Sequence, residues 1–471
     1  MSGLYSTLNS SVKALTAHSR AIETAGKNLA NVNNPNYARQ RVVYGDRGTV
    51  LTPQGAESLG IEAVGVQQLR DTLIDRQLMR EIALKSSFEA EQSGYQRAQA
   101  GLGQSIDRSS SAAATGGGGD KGLSAAIDDF FNSFQSFAAR PTDHGERQTL
   151  LQKAEILTDR FKFADERIAQ VQTDLNSEIA THVEDVNRLL TTIADLNSQI
   201  GRFEINAPGS AVDLRDQRQA RLEELAAKLP IEARNSSGGQ VQIVTKDGTG
   251  ADVVLVDLAT VQGTVTFNGT TLSAGVPSTV LAPNGGAIKG ALAARDGAVQ
   301  TLRNDLDQLA RQLVTSVNAA YNPTAATGNF FNAANLTAGT ISLAGGLNTT
   351  NLKASDGGAA GDNGLAIAVA QLANTAFATG SGDHIDGTFS GFFAKTVSKL
   401  GQALAGANSR VEDQSNIERL VRSHRDAVSS VSLDEEMADL LKFQRAFQAS
   451  SRVFGVVDDL LDAVVNRLGV G

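Results

Sequence analysis

The sequence predicts a mainly α protein with an inserted β domain, nested so that the two ends form paired coiled-coil helices around a long helical rod domain. Three observations carry this. Large apolar residues recur every seven positions at both ends: Leu8, Leu15, Ile22 and Leu29, then Leu433, Leu440, Phe447, Phe454, Leu461 and Leu468. Residues 146–200 hold neither Gly nor Pro and keep a helical apolar spacing. Between the helical stretches, residues 241–267 change to β-branched runs divided by turn residues.

The first helix reads over residues 4–32 and stops at Asn34, Pro35, Asn36 and Tyr37. Pro35 turns its predecessor away from helical geometry, and Asn36 tolerates a left-handed conformation, so a sharp structured turn is predicted. Residues 42–65 carry Gly and Pro punctuation and should hold short strands or a loop. Helix resumes over 71–106, a Ser, Ala and Gly linker follows over 109–119, and 123–139 is again helical. Within the long stretch, Leu175, Ile179, Val183, Val186, Leu190, Ile193, Leu196 and Ile200 mark one buried face.

Beyond the break at Asn206, Ala207, Pro208 and Gly209, a short helix over 214–229 ends at Pro230. Strands are predicted over 241–245, 253–256 and 261–267, the last ending in the hairpin pair Asn268-Gly269. Helix returns over 288–321. Residues 324–390 read as loops with a few strands, and helices over 392–430 and 433–468 follow, with no proline after Pro323. The expected domains are a terminal helical assembly domain (1–60 and 425–471), a helical rod domain (61–205 and 285–424) and a β-rich outer domain (206–284).

With 471 residues, two to four domains are expected. Aromatics make up 5%, with no Trp, which predicts a mostly aliphatic core. No stretch reaches the roughly 18 to 20 apolar residues of a membrane span, and no signal-type segment opens the chain. Zero cysteines exclude disulfides, thiolate metal sites and thiol nucleophiles. The net charge of -9 argues against nucleic-acid binding.

That charge is unevenly spread. Residues 1–45 carry Lys13, Arg20, Lys27, Arg39 and Arg41 against Glu23, whereas Asp434, Glu435, Glu436, Asp439, Asp458, Asp459 and Asp462 outnumber the bases after residue 432. The two terminal helices are therefore complementary in charge as well as in apolar seam. Gly455 interrupts the second seam, and close approach by another helix would explain it.

Candidate chemistry is thin. Gly116 to Lys121 has no preceding strand, and Gly122 stands where a phosphate loop needs Ser or Thr, so it reads as a linker. His18, His144, His182, His384 and His424 are scattered without metal-helix spacing. Asp247 to Asp252 lacks the later bidentate Glu of a calcium loop and reads as a β-turn. No Ser, His and Asp set assembles. Neither an enzyme nor a cofactor is predicted.

Two terminal motifs carry a resemblance: Asn28-Leu29-Ala30-Asn31 with Asn34-Pro35-Asn36-Tyr37-Ala38-Arg39-Gln40, and Ser432-Leu433-Asp434-Glu435-Glu436-Met437 with Phe443 to Ala449. Together they resemble the axial proteins of the bacterial flagellum. Asp213 to Arg218, Gly290 to Asp296, Val317 to Tyr321 and Gly328 to Phe331 resemble, within that superfamily, the hook-associated FlgK family. Asn36 stands where many relatives have Gly, and the β insertion is short, so an outermost domain of longer relatives is expected to be reduced or missing.

The resemblance implies a structural subunit that joins hook to filament and self-assembles through the terminal helices. Its implied partners are the hook protein, the next junction protein and a flagellar export chaperone at the C-terminal helix, with no nucleic acid and no membrane. It implies an extracellular place in the flagellum, reached through the flagellar type III apparatus without a cleaved signal. A rod or hook subunit, or a secreted enzyme on an axial frame, are the alternatives.

Overall fold

The computed structural model describes residues 2–46, 48–52, 55–58, 60–102, 122–325, 328–357 and 361–464. The predicted linker 109–119, the Gly116 to Lys121 segment and Leu468 lie outside the described residues. The chain divides into two compact units, 1–85 with 183–286 and 414–471, and 86–182 with 287–413.

In the first unit, α1 (Ser2–Ala30) is followed by the antiparallel pair β1 (Gln40–Asp46) and β4 (Ile61–Gln68), whose intervening residues form the small hairpin β2 (Thr49–Thr52) and β3 (Gly55–Ser58). Helix α2 (Thr72–Gly101) starts in this unit, with Asp71 Oδ1 accepting from the Leu73 amide at 2.8 Å as its cap. Helix α5 (Val212–Lys228) precedes a four-stranded antiparallel sheet, β5 (Glu232–Asn235), β6 (Val241–Lys246), β7 (Asp252–Asp257) and β8 (Thr260–Val261). A three-stranded sheet follows, β9 (Thr266–Phe267), β10 (Leu272–Ala274) and β11 (Thr279–Leu281).

The single strand predicted over 261–267 is two strands. Gly263 breaks it with φ +124°, and a Cβ there would lie 2.9 Å from the Gly275 carbonyl oxygen, so neighbouring backbone fills the space a side chain would need. The Asn268-Gly269 hairpin joins β9 to β10 as predicted. Asp247 forms a turn, its Oδ1 accepting from the amides of Thr249 and Ala251 at 2.8 Å each.

The long helix is α4 (His144–Phe203), 60 residues and about 90 Å at 1.5 Å per residue. All eight apolar positions predicted for its inner face are buried. Helices α9 (Phe389–Ser429) and α10 (Leu433–Asp462) close the described chain.

The buried core is mostly aliphatic, as predicted, but the second unit gathers an aromatic cluster, 12 of the 32 residues in its hydrophobic core. Helix α3 (Leu123–Ala139) places Phe130, Phe131, Phe134 and Phe137 on one face. Phe130 meets Phe134 edge-on at 5.2 Å and Phe134 meets Phe330 at 5.1 Å. Few aromatics in the whole chain does not mean few in one core, because these phenylalanines are concentrated here.

Helix α7 (Gln300–Tyr321) fixes the next loop: Asn318 Oδ1 accepts from the Phe330 and Phe331 amides at 3.1 and 2.9 Å, and Tyr321 Oη accepts from the Lys353 amide at 2.8 Å. Helix α6 (Gly286–Ala294) joins α7 through a kinked turn at Gly297 rather than continuously. The loop region also hides a helix the sequence does not announce, α8 (Gly364–Gln371), whose Leu365, Ala366 and Val369 are buried. Eight residues span too few turns to show a period.

Candidate functional site

The two ends of the chain meet in the first unit. α1 packs against α10 and against the β1–β4 hairpin. Its most buried positions are small, Ala17, Ala21 and Ala25, with Ser11, Thr24 and Asn28 beside them. Leu8, Leu15, Ile22 and Leu29 are half-buried. On α10, Val457 and Leu461 are buried, Leu440 and Phe454 half-buried, and Leu433 and Phe447 exposed by 47% and 37%. A straight helix drifts about 20° per heptad, so positions seven apart leave a single face over four heptads.

Polar groups, more than the seams, define the contact where α1 ends and α10 begins. Asn28 is 1% exposed and uses both ends of its amide. Its Nδ2 donates to the Gln40 carbonyl at 2.8 Å and to Glu436 Oε2 at 3.0 Å; its Oδ1 accepts from Tyr37 Oη at 2.8 Å and the Gln40 amide at 3.0 Å. Arg39 completes the set, with Nε donating to Glu436 Oε1 at 2.6 Å and Nη1 to Glu435 Oε2 at 2.5 Å. Burial lowers the affinity of Arg39 for its proton, yet the hydrogen bonds and charges of Glu435 and Glu436 hold its pKa above the ordinary value. Part of the predicted charge complementarity is thus gathered at Arg39, which follows α1 and faces the first turns of α10.

Asn34 to Tyr37 form the predicted turn, the Tyr37 amide donating to the Asn34 carbonyl at 3.1 Å and the Asn36 amide to Asn34 Oδ1 at 3.2 Å. Asn36 does not take the left-handed conformation expected of it; among the described residues, only Leu258 and Ala325 do so without being glycine. A turn with proline second and a negative φ third explains this.

Two arginines grip the outer carbonyls of the turn. Arg425, on α9, donates to the Pro35 carbonyl at 3.2 Å and to Glu223 of α5 at 3.1 Å. Arg70 donates to the Asn36 carbonyl at 3.2 Å, to Asp216 of α5 at 2.8 Å and to Asp75 at 3.1 Å. Burial pushes the Asp216 carboxyl up even with Arg70 beside it, and it pushes the Tyr37 hydroxyl up, with Asp213 and Asp216 adding to the effect. Arg39 is also tied through its backbone, its amide to the Ser429 carbonyl and its carbonyl to the Leu69 amide, both 2.8 Å.

Sequence reasoning picked the apolar positions, the turn and the opposite charges of Arg39 and Glu436, and passed over Asn28, Arg70 and Arg425 as interface residues. Asn28, Arg39 and Glu436 stand inside the two terminal motifs, which is where a signal existed. Among the described residues no His, Cys, Asp and Glu group could hold a metal ion, and no helix is long and apolar enough to cross a membrane.

A polar hub that ties both ends of a long helical chain together, with no metal cluster among the described residues, suits a structural type of protein. The model of the FlgK helical domain matches residues 113–329, and the model of the flagellar basal body rod FlgEFG protein C-terminal region matches 424–468. The chain is thus similar to the FlgK hook-associated protein family, structural proteins of the flagellar hook–filament junction.

Flagellar hook-associated protein 1 of Bacillus subtilis is 25% identical over the whole of both chains. Its Escherichia coli namesake is 26% identical over 67% of this chain and 57% of that one. The Salmonella typhimurium namesake is 28% identical over 67% and 56%. The solved structure of the flagellar hook junction protein FlgK from Burkholderia pseudomallei covers 52% of this chain and 43% of that one, with TM-score 0.43 and 21% identity.

Proposed function

We propose that this chain polymerises through its paired terminal helices at the junction of hook and filament. Its neighbours there are further copies of itself, the hook protein and the next junction protein. The observation that carries the reading is the outer side of α10. Leu433, Met437, Leu441, Val453, Val456 and Leu460 are each between 47% and 59% exposed, on a helix whose other side is held by α1. Two exposed apolar patches, Leu433 to Leu441 and Val453 to Leu460, are what neighbouring subunits would cover.

The same patches give an export chaperone its purchase on the C-terminal helix before assembly, with passage through the flagellar type III apparatus to an extracellular position. The role is structural rather than catalytic, and the site residues are Leu8, Leu15, Ile22, Leu29, Leu433, Leu440, Phe447, Phe454, Leu461 and Leu468, with the turn Asn34, Pro35, Asn36 and Tyr37. The domain reading is unchanged: a terminal assembly domain, a rod domain and a short β-rich outer domain. The match over 113–329 favours a junction subunit over a rod or hook subunit.

The test is the double substitution Met437→Asp and Leu441→Asp, both on exposed positions. Helical content of the isolated chain should be unchanged while flagella in cells carrying it lose the junction and filament. Normal filaments on that variant would sink the reading.

A further inference from the structure

Five arginines line one cleft of about 610 Å³ in the first unit, Arg70, Arg76, Arg215, Arg218 and Arg234, against a single carboxylate, Asp75. Three of the five are neutralised from within. Arg70 holds Asp75 and Asp216, Arg215 makes a two-pronged bond to Glu204 at 2.6 and 2.8 Å, and Arg234 holds Glu232 and Asp252.

Arg218 is different. It is only 7% exposed, and its bonds come from one terminal nitrogen, Nη1, to Asn197 Oδ1 at 2.8 Å and the Gly239 carbonyl at 2.9 Å. Both acceptors are neutral. Among the described residues, neither its Nε nor its Nη2 has a protein acceptor, and none of them gives it a carboxylate partner. A guanidinium taken out of water without a counter-charge is costly, because neutral dipoles replace only part of its hydration.

The surroundings reinforce this. Burial, then the charge of Arg215 and, more weakly, of Arg70, lowers the Arg218 pKa to about 10, against a smaller opposing pull from Glu204. Arg70 Nε is buried without an acceptor. Arg76, on an exposed turn of α2, bonds among the described residues only to the Thr72 carbonyl of its own helix. The wall is completed by amide and hydroxyl side chains such as Gln68 and Ser236.

We propose that this cleft binds an oxyanion, a carboxylate or phosphate group from outside the chain, with Arg218 and Arg76 supplying its charge and hydrogen-bond donors. Planar, forked donors suit such a group. The site stands apart from the assembly reading and does not depend on it.

The experiment is thermal unfolding and calorimetry of the full chain with two probes, inorganic phosphate and tetraglutamate peptide, at ionic strength held constant with chloride. A saturable rise in Tm above the chloride control is expected. Arg76→Gln should weaken the apparent affinity about tenfold, the share of one charge-assisted hydrogen bond. Arg218→Gln should abolish binding; should that variant fail to fold, Arg76→Gln alone decides.

Response to tetraglutamate alone supports the site and makes the ligand a carboxylate-bearing segment of a protein. Response to phosphate alone supports it and makes the ligand a free anion. No shift beyond chloride with either probe, or folded variants that bind as well as the parent chain, overturns the proposal.

Discussion

The side-chain amide of Asn28 and the carboxylate of Glu436 lie 408 positions apart in sequence and 3.0 Å apart in space. Asn28 also satisfies Tyr37 and Gln40, so one residue in α1 organises the turn after it and the start of α10. Asn28→Ala leaves the Gln40 amide and the Tyr37 hydroxyl without their acceptor. It should cost about 1–3 kcal/mol, the penalty of orphaned buried donors, in denaturant unfolding. A loss below about 0.5 kcal/mol would show that water replaces the amide, since surface substitutions fall in that range.

The two carboxylates that hold Arg39 are not equivalent. Glu435 is 63% exposed and Glu436 is 3% exposed. Glu435→Gln should therefore change stability by less than about 1 kcal/mol, as exposed ion pairs do. Glu436→Gln, which leaves a guanidinium facing a neutral amide at a buried position, should cost about 3 kcal/mol or more. Raised salt should erase the smaller effect and spare most of the larger. Equal losses from the two substitutions would contradict this ranking.

Acid should loosen the first unit at Glu204. Burial opposes its ionisation, but the two bonds from Arg215 and those from the Gly209 and Ala211 amides outweigh it, so its carboxyl sits below the ordinary 4.5. The folded state thus holds this proton less tightly than the unfolded state. Its contribution is complete above about 4.5 and is lost as pH falls from there through the folded-state pKa. Glu204→Gln should flatten the fall of Tm in that window while lowering Tm at neutral pH. An unchanged acid limb in the variant would remove Glu204 from the explanation.

Two helical glycines should respond in opposite ways to alanine. At Gly290 a Cβ would lie 2.0 Å from the Ser87 carbonyl oxygen, so α2 and α6 must separate; Gly290→Ala should cost about 1–3 kcal/mol. At Gly455 a Cβ would meet nothing within 4 Å, so Gly455→Ala should stabilise the isolated chain by about 1 kcal/mol. The close helix approach inferred for Gly455 from sequence is absent within the described chain. Weaker polymerisation by a more stable Gly455→Ala monomer would place that approach between subunits.

Helices were legible where apolar spacing persists over many turns. The bounds of α3, Leu123–Ala139, coincide with the prediction, and the inner face of α4 is the one its apolar residues mark. Short elements were not, because α8 and the two-residue strands β8 and β9 hold too few residues to display a period. The pairing of the ends was visible in the charge and apolar content of α1 and α10. Its polar centre was not, since Asn28, Arg39 and Glu436 become neighbours only through contacts across the whole length of the chain, which no local pattern encodes. Arg218 stood in a motif noted for its resemblance, but its lack of a counter-charge depends on what the fold brings to it.

The bond between Asn28 and Glu436 also makes the hub a test of completeness. A chain that stops short of residue 435 leaves Arg39 without its carboxylates and Asn28 with a spare donor, whatever the state of the other helices. Prematurely ended copies therefore lose the buried hub together with the exposed side of α10 proposed as the joining surface, so one truncation removes both the internal lock and the outward contact.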